Sequence, residues 1–112
     1  MGYASIIEKR RKERLEDLRK KYMEELKKVK NIADKFYLKR IYLFGSLIEK
    51  DKFHFNSDID LVVEGMKEKD FLKFYAAILK EVSFPVDLKK YEDLPEGGKK
   101  ALKKGKVIYE KK

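Results

Sequence analysis

Arg40-Ile41-Tyr42-Leu43-Phe44-Gly45-Ser46 and, after residues 47–56, Ser57-Asp58-Ile59-Asp60-Leu61-Val62-Val63 are the stretches on which the reading of this chain turns. The first is β-branched and aromatic and is stopped by glycine, so it predicts a strand over 40–44 that feeds a Gly-Ser turn. Glycine lets backbone N–H groups approach a phosphate closely, Ser46 adds a hydroxyl donor, and a helix starting just beyond would add its positive end. Leu47 to Lys52 reads as that short helix. The second stretch predicts a strand over 58–63, closed by Glu64-Gly65. Strand side chains alternate, so Asp58 and Asp60 share one face while Ile59 and Leu61 turn to the core. Two carboxylates this close repel unless a cation lies between them. Hard oxygen ligands suit Mg²⁺, which takes a few carboxylates together with substrate phosphates. Leu61-Val62-Val63 marks a buried strand, where paired acids without a cation are costly. Alone, most strand-Gly-Ser turns bind nothing, and most Asp-x-Asp pairs are solvated strand starts. Their succession within one short region carries the argument.

Working outward, Ser5-Ile6-Ile7-Glu8 has the form of a capping box. Leu15, Leu18, Tyr22, Leu26, Val29, Ala33 and Phe36 then recur at three- and four-residue steps, predicting a long helix over about 5–37. Glu8 to Arg14 carries no apolar residue, so this part should project into solvent or meet a partner. Tyr22 and Tyr37 read as core positions of that helix. Phe71, Tyr75, Ile78, Leu79 and Val82 give a second amphipathic helix. Phe84-Pro85-Val86-Asp87-Leu88 alternates as a third strand; Pro85 cannot donate to a ladder, which puts it at the strand start or at an edge. Asp87 points off the core. If this strand neighbours the second, Asp87 joins Asp58 and Asp60, and three carboxylates can hold two metal ions for an in-line phosphoryl displacement. Leu94 to Lys104 reads as a short basic helix ended by Gly105, and Val107-Ile108-Tyr109 as a last strand. The order α-β-α-β-α-β-α-β, without repeat or linker, predicts one α/β (α+β) domain spanning 1–112. Its small mixed sheet should have helices on one face and the acids on the open one.

The chain has 112 residues, no cysteine and a net charge of +9, with 44% charged residues. Without cysteine there is no disulfide framework and no Cys-based zinc site. No apolar run approaches membrane-spanning length, and the charged N-terminus does not resemble a secretory signal. A reducing cytoplasm is the expected setting. The excess positive charge gathers in Lys9–Arg14, Lys27–Lys30, Lys99–Lys104 and Lys111–Lys112, away from the acids. A basic domain can take nucleic acid, a nucleotide or an acidic protein. The lysine-rich segments lack the aromatic interleaving of single-strand binders, so nucleic acid is not favoured. His54 reads as an ordinary residue of the loop before the acids. Phe53 and Phe55 read as packing beneath that loop rather than stacking a base.

Gly45-Ser46, the spacer, Asp58-Ile59-Asp60 and a later strand bearing Asp87 resemble the nucleotidyltransferase signature of the DNA polymerase β superfamily. The small size, the apolar strand before Gly-Ser and the closing Gly105-Lys106-Val107-Ile108-Tyr109-Glu110 are similar to the minimal nucleotidyltransferases (MNT), the antitoxins of HEPN–MNT toxin–antitoxin pairs. The resemblance covers roughly residues 38–110 and implies the polymerase β-like fold. It implies that Gly45 and Ser46 hold the triphosphate, with Ser57 counted among the nucleotide-binding positions. It implies that Asp58 and Asp60 ligate two Mg²⁺ ions, and that Asp87 completes the nucleophile-side metal and helps deprotonate the acceptor. ATP or another nucleoside triphosphate is the implied substrate, and a hydroxyl of a HEPN-type helical toxin the implied acceptor of AMP. Leu47-Ile48-Glu49-Lys50 departs from the Arg and Gly that often follow Gly-Ser in the family, and leaves Lys50 or Lys52 to supply positive charge there. Two other readings stand beside this one: a non-catalytic antitoxin that occludes a partner ribonuclease, and nucleotidyl transfer to a small molecule or RNA.

Overall fold

A computed structural model describes residues 3–111. Helix α1 (Tyr3–Ala33) leads into strand β1 (Arg40–Phe44). Two three-residue 3-10 turns follow, Gly45–Leu47 and Lys50–Lys52. Strand β2 (Ile59–Glu64), helix α2 (Glu68–Glu81) and strand β3 (Val86–Lys90) come next. A 3-10 turn at Tyr91–Asp93, helix α3 (Glu96–Ala101), a further 3-10 turn and strand β4 (Lys106–Glu110) complete the chain. The sheet order is β3-β2-β1-β4. β1 lies antiparallel to both β2 and β4, and β3 lies parallel to β2. The expected mixed-sheet α/β architecture is therefore the observed one.

Period-2 patterning decides the two faces of the sheet. Ile41, Leu43, Ile59, Leu61, Val63, Val86 and Leu88 turn to one face and are buried in a single cluster with Tyr22, Leu26 and Val29 of α1 and Phe74 and Ile78 of α2. Burying such side chains contributes about 1.5–3 kcal/mol each, offset largely by ordering entropy. The second face is covered only in part. Tyr42 and Tyr91 stack at 6.1 Å across β2, and Val62, the β2 partner of Tyr42, is fully buried. Lys99 of α3 lies 5.1 Å from the Tyr91 ring centroid. The carboxylate end of this face is left open.

Several expected boundaries move, each for a local reason. Ser5 is not a cap, because α1 is already helical at Tyr3 and nothing in Tyr3-Ala4 breaks it. The helix stops at Ala33, short of residue 37. Lys35 N–H and Phe36 N–H donate to Ile32 O and Ala33 O in tight i→i−3 bonds, and Lys39 N–H is already paired with Glu64 O. Tyr37 consequently falls beyond the helix, 81% exposed, and is not a core residue. No α-helix follows Gly45; two short 3-10 turns stand in its place. Asp58 precedes β2 rather than opening it. β3 begins after Pro85, as the missing N–H requires, while Pro85 O accepts from Ile59 N–H at 2.8 Å. Every side chain from Glu8 to Arg14 is exposed, as the absence of an apolar residue there predicts, and Ile6 and Ile7 are exposed as well. Among the described residues no helix is long and apolar enough to cross a membrane.

Candidate functional site

The site assembles where β1 ends and β2 and β3 begin. The parallel ladder pairs Asp60 with Asp87, so the two carboxylates stand side by side on the open face. The antiparallel ladder pairs Asp60 with Phe44 on its other side. Gly45 follows Phe44 with φ +79, a conformation that favours glycine. A Cβ on Gly45 would overlap Asp60 Oδ2, so the Gly-Ser turn and the central acid are in direct contact. The phosphate-binding candidate and the metal-binding candidate thus form one place.

The electrostatics carry the mark of that crowding. Burial pushes the Asp60 carboxyl up to about 6, with Asp87 and then Asp58 adding to the shift and Lys89 opposing it. Asp58 is exposed and Asp87 half-buried. Lys89 Nζ lies 3.7 Å from Asp87 Oδ2, one pleat period further along β3 and hence on the same face. In the sequence the i+2 spacing of Lys89 from Asp87 is the signal that places it on this face.

The other expected site residues are placed differently from one another. Gly45 and Ser46 form the turn, with Gly45 O accepting from the N–H groups of Ile48 and Glu49. Ser57 is not brought to the open face. It is 3% exposed, and its Oγ accepts from His54 N–H at 2.9 Å, which closes the loop before Asp58. Its carbonyl accepts from the Tyr22 hydroxyl at 2.7 Å. Burial raises the pKa of that hydroxyl and Asp58 adds to the effect. Phe53 packs edge-on against Tyr22, as expected, whereas Phe55 remains 43% exposed with Arg11 over its ring. His54 is exposed, its Nδ1 accepting from Asn56 N–H. Lys52, one of the two lysines expected to serve phosphate, instead pairs with Glu49 at 3.0 Å on the surface beside the turn. Arg19 donates from Nε and Nη2 to Leu47 O at 3.0 and 2.6 Å, a contact that no local pattern in the chain announces.

Among the described residues no three His, Cys, Asp or Glu side chains close around a metal by themselves. The donor set is nonetheless all oxygen, and the Gly45 cradle keeps a side chain out of the space beside Asp60. Both features fit Mg²⁺, which keeps waters and takes the rest of its ligands from phosphates. Comparison with known proteins agrees in kind. A family model described as "Polymerase beta, Nucleotidyltransferase" matches residues 27–112. No curated protein matches the chain.

Proposed function

The chain belongs to the polymerase beta nucleotidyltransferase family, and from that premise we propose that it transfers a nucleoside monophosphate, AMP from ATP, to a hydroxyl of a partner protein. In sequence character the chain resembles the MNT antitoxins that act on HEPN-type toxins, and we take such a toxin as the acceptor. The observation that carries the reading is the pairing of Asp60 with Asp87 across β2 and β3, with Gly45 against Asp60.

In this reading the acceptor oxygen attacks the α-phosphorus, the bond from that phosphorus to the α–β bridging oxygen breaks, and pyrophosphate leaves. Gly45 and Ser46 hold the triphosphate through backbone N–H groups and the Ser46 hydroxyl. Asp58 and Asp60 hold the metal, and Asp87 takes part on the acceptor side and receives the hydroxyl proton. Two bound Mg²⁺ ions would supply charge neutralisation on the phosphates and a lowered hydroxyl pKa. Lys89 restrains Asp87 and adds positive charge beside the polyphosphate. Ser57 orders the loop that delivers Asp58.

The test is incubation of the chain and the product of its neighbouring gene with Mg²⁺ and each of the four nucleoside triphosphates, followed by intact-mass measurement of both proteins. The expected result is one nucleoside monophosphate added to the partner, absent with Asp60→Asn. No adduct with any triphosphate, together with full inhibition of the partner by the Asp60→Asn chain, would establish occlusion instead. Labelling of added RNA but not of protein would move the acceptor to nucleic acid.

A further inference from the structure

Residues 45–57 contain the Gly-Ser turn, Gly45–Leu47, at one end and the approach to Asp58 at the other, with the Lys50–Lys52 3-10 turn between them. Helix α1 touches both ends. Arg19 donates two hydrogen bonds to Leu47 O, the last carbonyl of the Gly45–Leu47 turn. Tyr22, one helical turn later and on the same face, donates its hydroxyl to Ser57 O, immediately before Asp58. Both anchors are rigid. Leu47 is fully buried, and two N–H groups of one planar guanidinium on a single carbonyl fix its direction. The Tyr22 ring is stacked on Phe84 at 4.1 Å and set edge-on to Phe53 at 5.1 Å, so its hydroxyl has one place to go. The family match begins at residue 27, leaving Arg19 and Tyr22 outside it.

We propose that Arg19 and Tyr22 are positioning residues that preorganise the two halves of the site from the helix side of the sheet. Arg19 holds the Gly45-Ser46 turn in the conformation that receives the triphosphate, and Tyr22 holds Ser57, and through it Asp58, at the start of β2. Ends of short 3-10 turns leave carbonyls without partners in the turn. A charged donor there is worth more than a neutral one, and removing it frees the turn to sample other conformations. Binding would then have to supply the order that the helix supplies in the native protein. The consequence for catalysis rests on the proposed nucleotidyl transfer; the mechanical brace does not.

The test joins hydrogen exchange with kinetics. In Arg19→Ala the amides of Ile48 and Glu49, which bond Gly45 O, should exchange about tenfold faster, while α2 amides keep their protection. In the same variant the KM for the nucleoside triphosphate should rise about tenfold with kcat within about twofold, and Arg19→Lys should recover part of the loss. Tyr22→Phe keeps the ring packing and removes one bond; it should raise the Mg²⁺ concentration for half-maximal transfer about threefold. Unchanged exchange at Ile48 and Glu49 in a folded Arg19→Ala chain would overturn the brace. Faster exchange with an unchanged KM, measured well below the melting temperature, would reduce Arg19 to a structural role and overturn the positioning claim. If the wild-type chain transfers nothing, the failure falls on the proposed reaction, and the exchange result alone decides the brace.

Discussion

Gly45 and Asp60 are in contact across the β1–β2 boundary so closely that a methyl group on Gly45 would overlap Asp60 Oδ2. Two adjacent strands therefore fix the distance between the Gly-Ser turn and the central acid, and no loop rearrangement is needed to create it. Gly45→Ala meets both this overlap and the penalty of φ +79. It should lose about 1–3 kcal/mol of stability, read by urea denaturation, and should abolish Mg²⁺-nucleotide binding in calorimetry. Binding at wild-type strength in Gly45→Ala would show that the turn is not the phosphate site.

The raised Asp60 pKa has a defined sign. A carboxyl held up to about 6 in the fold, against an ordinary 3.8, binds more protons folded than unfolded between those values. Stability of the metal-free protein should thus fall as pH rises from about 4 to about 6, and the deficit should persist above. Asp60→Asn should flatten this segment of the melting-temperature profile, and Mg²⁺ with nucleotide should offset it in the wild type. A profile unaffected by Asp60→Asn would mean that Asp60 is not the carboxyl held up by burial and its acidic neighbours.

Glu25 behaves in the opposite sense. Its bond with Lys28, then those with the side chain and the N–H of Ser83, hold the carboxyl down to about 2 against the opposing effect of burial, from an ordinary 4.5. Its stabilisation is fully present above about 4.5 and is lost as pH falls towards 2. Because Glu25 ties α1 to the turn before β3, Glu25→Ala should cost about 1–3 kcal/mol at pH 7, measured by denaturation, and the difference from wild type should shrink at pH 2. An equal cost at both pH values would mean that packing, not the carboxylate, is at work.

Residues 5–14 of α1 are exposed, and 9–14 are rich in Lys and Arg. Over residues 5–14 a truncation removes only exposed side chains, so deleting residues 1–14 should change the melting temperature by no more than about 2 °C. In co-expression with the neighbouring gene product, the truncated chain should elute separately while the full chain co-elutes. Co-elution of both would remove this segment from the interface.

Much of this site was legible in the chain itself. Alternation in Ile59-Asp60-Leu61 and Val86-Asp87-Leu88 assigns each acid to the face opposite the core, because a strand has only two faces and apolar side chains claim one. Gly45 at the end of an apolar strand marks the turn by the same local logic. What the sequence left open is everything decided between segments. That Asp60 meets Asp87 depends on β3 lying parallel beside β2 in one register; a shift of one residue would have sent Asp87 into the core. Ser57 reads as a candidate ligand beside two acids, yet packing takes it inside, where its polar atoms serve His54 and Tyr22. Tyr37 continues a helical pattern, yet the chain must turn into β1 before reaching it. Arg19 sits on a strongly charged helix among residues of the same kind. Only the approach of Leu47 O, 28 positions away, sets it apart, because a long-range hydrogen bond has no periodicity along the chain to announce it.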